Sequence, residues 1–208
     1  MIAELAHYAL ILAFTLAVLQ AALPLWGAWK NDAALIGTAV PLAVAVFVFI
    51  TLSFAGLTLS FLRLDFFGLG VYGNSHSLQP LLYKITGVWG NHEGSMVLWV
   101  FVLGLFSALV ALLGRNLPPR LHANVLGIEG LIAAIFLLFI LTTSNPFLRL
   151  DPAPAEGQQL NPILQDIGLA IHPPLLYLGY VGFSITFAFA AAALLEGRVD
   201  AAWARWVR

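Results

Sequence analysis

Five long apolar runs alternate with more polar connections along the chain. The runs extend roughly over residues 5–25, 40–62, 95–113, 125–143 and 173–195. Each is apolar on every side of the helix that it would form, as lipid and neighbouring helices require. A helix needs about 20 such residues to cross the hydrocarbon core of a bilayer. The pattern therefore predicts five transmembrane helices.

The connections differ in length. Residues 26–39 and 114–124 are short links, whereas residues 63–94 and 144–172 are long. In a five-helix arrangement both long loops lie on the same side of the membrane. We predict an all-α fold: a polytopic membrane helix bundle with about five transmembrane helices and two longer outer loops. Residues 1–208 would form a single transmembrane domain.

Basic residues near the helix ends predict the orientation. One side would carry Lys30, Arg115, Arg120, Arg198, Arg205 and Arg208, and the other would carry Arg63, Lys84 and Arg149. Cytoplasmic loops are enriched in lysine and arginine, so the first side is predicted to be cytoplasmic. The N-terminus and both long loops would then be periplasmic.

Composition supports the membrane class and excludes others. The chain is 61% hydrophobic and only 9% charged, whereas soluble domains carry about a quarter charged residues. With a net charge of -1 and no basic run, the sequence gives no indication of nucleic-acid binding. The absence of cysteine excludes disulfides and thiolate metal ligands from this chain.

The most informative polar residue is His172, at the junction between the second outer loop and the last apolar run. Pro173 and Pro174 follow it, and proline is well accommodated in the first turn of a helix. We therefore predict that His172 directly precedes the fifth membrane helix, after a short helix over residues 163–171 on the membrane surface. An imidazole there could ligate a metal, with haem iron as a natural candidate, or could simply be a surface residue at the helix start.

A second distinctive stretch, WGNHEGS at residues 89–95, leads into the third helix. His92 and Glu93 could orient a ligand, or Glu93 could accept a hydrogen bond from another imidazole ring. The alternative is a well-capped helix entry in which Trp89 is an aromatic anchor. Tyr177, one turn after the two prolines, could likewise line a pocket or only pack against a neighbour.

Glu129 is the acid that lies inside a predicted membrane helix. An ionisable group at that depth suggests a transporter or a proton-conducting subunit, in which Glu129 and Glu93 would carry protons. The structural alternative is a carboxylate at the membrane interface, or one paired with Arg115 or Arg120. A third class of function is a scaffold that docks partners and never touches haem.

Several motifs resemble the N-terminal part of the CcmF-type haem lyase family of cytochrome c maturation, and the similarity covers the whole chain. They are PLWG at 24–27, VWGNHEGS at 88–95, TSNPF at 143–147, and residues 160–180 with IHPPLLYLGY at their end. The resemblance implies a component of a membrane haem lyase that receives haem and attaches it to apocytochrome c. His172 matches the family's first periplasmic haem-ligating histidine, so the resemblance implies an axial iron ligand.

The same resemblance implies haem b as the transferred substrate and the bacterial inner membrane as the location. The implied partners are a haem chaperone, apocytochrome c and its thiol-handling subunits, and the lipid bilayer. Further candidate haem contacts are His92, Glu93, Trp89 and Tyr177. Family members are longer and carry a tryptophan-rich segment and further histidine ligands. We therefore expect a piece of a longer protein or a split-gene product, which binds haem weakly and is inactive alone as a lyase.

Overall fold

The computed structural model describes residues 1–197, 199 and 201–206, apart from the side chains of residues 202 and 206. Its α-helices are α1 (Ile2–Lys30), α2 (Ala33–Gly37), α3 (Ala39–Leu62), α4 (Leu69–Asn74), α5 (Leu81–Thr86), α6 (His92–Leu113), α7 (Pro119–Thr143), α8 (Ile167–Val181), α9 (Phe183–Glu196) and α10 (Ala201–Trp206). Five helical stretches are long and apolar enough to span a membrane. The prediction of an all-α bundle with five spans is confirmed.

The membrane helices are longer than the apolar runs that predicted them. Polar residues and a proline outside those runs allow additional turns at the helix ends. At the end of α1, the Lys30 amine lies 4.2 Å from the centre of the Trp29 ring. Asn91 caps α6, where its side-chain oxygen accepts the backbone N–H of Gly94 at 2.8 Å. Proline at the first position of α7 is compatible with a helix start. Apolar periodicity alone does not detect these extensions.

The start of the fifth span was predicted wrongly. Residues 163–171 do not form a separate surface helix, because the turn Pro162–Leu164 is followed directly by α8. Asp166 caps this helix and accepts the Leu169 N–H at 3.1 Å. His172 therefore lies inside α8, in its second turn, rather than just before a helix. The cap outweighed the preference of proline for the first turn.

Four long helices form the centre of the bundle. Helix α1 packs against α3 and α7, α6 packs against α3 and α7, and α9 packs against α7. Small residues allow close approach between α1 and α7. A Cβ atom on Gly130 would lie 2.8 Å from the backbone nitrogen of Ala21, and one on Gly127 would lie 2.7 Å from Leu25 Cγ. Close packing of this kind replaces the hydrophobic effect as the force between membrane helices.

Buried polar side chains also join these helices. Gln20, which is 1% exposed, donates from its Nε2 to the carbonyl oxygen of Leu126 at 2.8 Å and to the Ser107 hydroxyl at 3.1 Å. The bonds connect α1 to α7 and α6. Hydrogen bonds between membrane helices are worth roughly 1 kcal/mol each, so this side chain helps to fix the order of packing.

Glu129 is fully buried and links α7 to α9. The hydroxyl of Ser184 donates to its Oε2 at 3.3 Å, while its Oε1 has no hydrogen-bond partner among the described residues. Pairing with Arg115 or Arg120 is therefore wrong. Arg120 instead donates to the side-chain oxygen of Asn31 at 3.2 Å. The hydrogen bonding described for Glu129 ends at Ser184 and gives no support to a proton-conducting chain.

The two outer loops pack on each other and cover the outer end of the bundle. The backbone N–H of Gln158 donates to the Tyr72 carbonyl oxygen at 2.8 Å, and the Ser77 hydroxyl donates to a carboxylate oxygen of Glu156 at 2.6 Å. Arg149 forms an ion pair with Glu4 near the N-terminus. The second loop is therefore attached both to the first loop and to α1.

The described basic residues follow the predicted division between the two sides. Lys30, Arg115 and Arg120 lie at the bundle end opposite the long loops, near the ends of α1, α6 and α7. Two further residues assigned to this side, Arg198 and Arg208, lie outside the described residues.

Gly130→Ala is expected to destabilise the bundle by about 1–3 kcal/mol, because the added methyl group forces α1 and α7 apart. Gly179→Ala is the matched control, since a Cβ there meets no atom within 4 Å. Thermal unfolding in detergent, followed by circular dichroism, measures both. Equal unfolding temperatures for the two variants would contradict the close approach.

Acid is expected to separate the outer loops. The Ser77 hydroxyl, then the Gly157 N–H, hold the pKa of Glu156 at about 2, below its usual 4.5. A lowered pKa means that the contact stabilises the loops above about pH 4.5 and is lost as the pH falls towards 2. Pepsin should cleave the wild-type loop more slowly than the Glu156→Ala loop at pH 4.5, and equally fast near pH 2. Asp151→Ala is the control. If the ratio of the wild-type and Glu156→Ala cleavage rates stays constant between pH 4.5 and pH 2, the pH dependence is refuted.

Candidate functional site

Three segments that are distant in sequence meet at the end of the bundle that carries the two long loops. They are residues 89–95 at the start of α6, residues 143–147 after α7, and residues 167–180 of α8. The first segment makes hydrogen bonds to both of the others. The candidate site is therefore a layer built from all three segments.

Trp89 completes the hydrogen bonding of α8. Its indole Nε1 donates to the carbonyl oxygen of Ala170 at 2.9 Å. In a regular helix this carbonyl would accept the N–H of residue 174, but Pro174 has none. An unpaired backbone carbonyl is costly in a membrane, where no water replaces the missing donor. The tryptophan thus replaces the hydrogen bond that Pro174 removes from α8.

A second contact lies two turns further along α8. The hydroxyl oxygens of Ser95 and Tyr177 are 2.8 Å apart, and the Tyr177 ring meets the edge of the Tyr180 ring at 5.7 Å between centroids. Residues 170 and 177 lie on one face of the helix, since seven residues correspond to nearly two turns. This face of α8 is held against α6.

The position of His172 follows from that attachment. It comes two residues after Ala170, about 200° around the helix, so its side chain leaves α8 nearly opposite the face attached to α6. The side chain is exposed, and neither ring nitrogen has a hydrogen-bond partner within the part of the chain that the structure describes. Leu175 and Leu176, one turn onward, are also exposed. A free imidazole therefore stands on an apolar surface.

His92 is engaged differently. Its Nε2 lies 3.0 Å from the Ser144 hydroxyl, and its ring meets the edge of the Phe139 ring at 6.3 Å. Glu93 is partly buried in the first turn of α6 and hydrogen-bonds to no imidazole among the described residues. The group that orients His92 is thus a serine, and the acceptor role considered for Glu93 is not observed.

His7 joins the same layer, although no sequence pattern distinguishes it from ordinary surface histidines. Its Nε2 lies 3.1 Å from the side-chain nitrogen of Asn145, and its ring stacks on Phe147 at 5.4 Å. Residues 143–147 therefore contact the histidines of both α1 and α6. Nothing in the spacing along the chain could have predicted these contacts, which join residues 138 and 52 positions apart.

The remaining histidines lie apart from this layer. His76 accepts the backbone N–H of Leu78 in a local turn, and His122 contacts the Val110 carbonyl at the other end of the bundle. Among the described residues, no three His, Cys, Asp or Glu side chains group as a metal site. If iron binds, the layer offers it the single free imidazole of His172.

The fold and this layer define a multi-pass membrane protein that presents an imidazole beside an apolar surface. Residues 89–208 match the family model described as Cytochrome C assembly protein. The chain belongs to this family, and the resemblance drawn from the motifs is confirmed. The match begins at Trp89, the residue that supports α8.

Curated relatives are similar over the whole chain. It is 62% identical over 208 residues to the cytochrome c-type biogenesis protein CycK of Rhizobium meliloti, and 54% identical over 209 residues to CcmF of Pseudomonas aeruginosa. It covers 31% and 32% of those proteins, so the chain spans about a third of their length. A solved structure titled Cytochrome c Heme Lyase CcmF matches with a TM-score of 0.85 and 25% identity, over 100% of this chain and 33% of that one.

Trp89→Phe is expected to loosen α8 because the Ala170 carbonyl loses its donor. A lost hydrogen bond of this kind costs about 1–2 kcal/mol, or roughly tenfold faster local opening. Hydrogen–deuterium exchange of the amides in residues 167–180 measures the change. Trp26→Phe, at an exposed tryptophan, is the control. Unchanged exchange in Trp89→Phe would show that α8 does not depend on this bond.

Proposed function

We propose that this chain is part of the membrane machinery that attaches haem to apocytochrome c, and that His172 is an axial ligand of the incoming haem at the periplasmic surface. The observation that carries the proposal is the free imidazole of His172. It projects from the face of α8 opposite the face that packs against α6. Membership of the cytochrome c assembly family supports the proposal, as do relatives named for cytochrome c biogenesis.

The surroundings of His172 suit a porphyrin. A neutral imidazole nitrogen is a common axial ligand of haem iron, and the porphyrin around the iron is large, flat and apolar. The exposed leucines 175 and 176 and Ile171 provide an apolar surface beside the ring. Binding would shield these side chains and the porphyrin from water together, which adds a favourable hydrophobic contribution to the iron–nitrogen bond.

The neighbouring candidates have a positioning role in this proposal. Trp89 and Tyr177 hold α8 by the bonds to Ala170 and Ser95. His92 is engaged with Ser144, and Glu93 occupies the first turn of α6, where a carboxylate favours the helix dipole. Trp89 and Tyr177 thus orient the helix that bears His172, His92 and Glu93 help to fix the start of α6, and the role of iron ligand falls to His172 alone.

The rest of the reaction depends on partners. The haem is a substrate, which we take to be haem b delivered by a haem chaperone, and His172 supplies one of its two axial ligands. The chain contains no cysteine, so the thiols that join the vinyl groups belong to apocytochrome c, prepared by its thiol-handling subunits. With one ligand, this chain holds haem weakly and does not complete the ligation alone.

The proposed location is the bacterial inner membrane, with residues 1–208 as one transmembrane domain and the N-terminus in the periplasm. Lys30, Arg115 and Arg120 lie at the end opposite the long loops and support this orientation through the excess of cations expected on the cytoplasmic side. His172 then faces the periplasm, where apocytochrome c receives its haem.

The test is haem titration of the purified chain, followed by Soret absorption. His172→Gly is expected to weaken binding by a factor of about ten or more, since even losing a group that merely supports a metal ligand costs about 10–100-fold. Free imidazole should restore the Soret band of this variant by replacing the missing ring. A structural defect would not respond to imidazole.

His76→Ala is the control, because it removes an outer-loop histidine whose Nδ1 is engaged in a local turn. It should leave the titration unchanged. If His172→Gly binds haem as the wild type does, another group of the chain is the ligand and the assignment to His172 is wrong. If the wild type itself binds no haem, the scaffold function without haem contact becomes the better account.

A further inference from the structure

A long apolar groove runs between α1 and α7 on the membrane-facing surface, away from the haem-site layer. Its volume is about 550 Å³, and its lining includes Val18, Ala21, Ala22, Leu25, Leu131 and Ala134. Trp26 and Trp29, both exposed, complete the lining. Every lining side chain lacks a charge, so the groove fits a hydrocarbon chain.

This groove continues into a second pocket towards the predicted cytoplasmic side. The second pocket has a volume of about 270 Å³ and is lined by Leu25, Ala28, Trp29, Arg120, Asn124 and Leu195. Leu25 and Trp29 line both spaces. The two spaces therefore adjoin at Leu25 and Trp29, and Arg120 is among the residues that line the second one.

The length of the combined groove matches one leaflet of a bilayer. Arg120 and Ala134 are 14 positions apart on α7, which corresponds to about 21 Å at the helical rise of 1.5 Å per residue. Half of a bilayer, including its headgroup region, measures about 20–22 Å. Arg120 therefore lies at headgroup depth when Ala134 lies near the middle of the membrane.

Two cations and two carboxylates lie near that end. Arg120 uses one guanidinium nitrogen on the Asn31 side chain, and Lys30 lies over the Trp29 ring. Neither cation forms an ion pair with a carboxylate among the described residues. The nearby acids bond to neutral donors: Asp32 accepts backbone N–H groups of α2, and Glu196 accepts the Asn124 amide at 3.1 Å.

We propose that this groove binds one anionic phospholipid, with an acyl chain between α1 and α7 and the phosphate at Arg120 and Lys30. The acyl chain fits the uncharged groove, while the singly charged phosphodiester pairs with cations that form no ion pair with a carboxylate among the described residues. Basic pockets between membrane helices on the cytoplasmic side bind anionic headgroups in this way. The site is separate from His172 and does not depend on the proposed haem function.

Native mass spectrometry of the 208-residue chain in detergent tests the proposal, with phosphatidylglycerol and phosphatidylcholine that carry identical acyl chains. The wild type should bind phosphatidylglycerol about fivefold more tightly, the effect of one well-placed cation. Arg120→Gln should abolish this preference and leave weak binding of both lipids. Ala22→Phe, which fills the groove from an exposed position, should weaken the binding of both.

Matched controls separate the site from general effects. Arg115→Gln removes a cation from the same membrane side but outside the groove, and Ile135→Phe enlarges an exposed side chain of α7 outside the lining. Both should bind lipid as the wild type does. The proposal is overturned by equal affinity for the two lipids, by a preference that survives Arg120→Gln or disappears in Arg115→Gln, or by a lipid-free dimer whose second copy covers the groove.

Discussion

A membrane helix must satisfy its backbone hydrogen bonds within the protein, and the pair Pro173–Pro174 breaks this rule inside α8. The indole of Trp89 meets the requirement at Ala170. This bond couples the start of α6 to the last membrane span, and the Ser95–Tyr177 contact sets the rotation of the same helix. The direction in which His172 points follows from these two bonds, so the candidate haem site depends on a donor from the segment that precedes α6.

The polar side chains of the candidate site layer serve two purposes. Residues 143–147 contact His7 of α1 and His92 of α6, while residues 89–95 contact α8. Each histidine except His172 that lies in this layer has a protein partner. Most of these polar side chains therefore join helix ends to one another, whereas the His172 ring is left open to a ligand. Seen in this way, the WGNHEGS stretch is a support for α8 that also caps its own helix.

Much of the architecture could be predicted from the sequence, because lipid demands uniformly apolar segments whose length is set by the bilayer. The five spans and the all-α class follow from that demand. The beginning of α8 could not be read correctly, since the Asp166 cap competed with the helix-start preference of two prolines. The partners of Trp89 and Glu129 could not be predicted either. They lie on helices far along the chain, and a run of apolar residues does not indicate which helices pack together.

The interruption between α8 and α9 at Gly182 has a mechanical consequence. Below it, α9 is bonded to α7 through Ser184 and through the Asn124–Glu196 contact; above it, α8 is bonded to α6. The two halves of the last membrane span are thus fastened to different neighbours, so the contacts that hold α9 to α7 do not depend on those that hold α8 to α6.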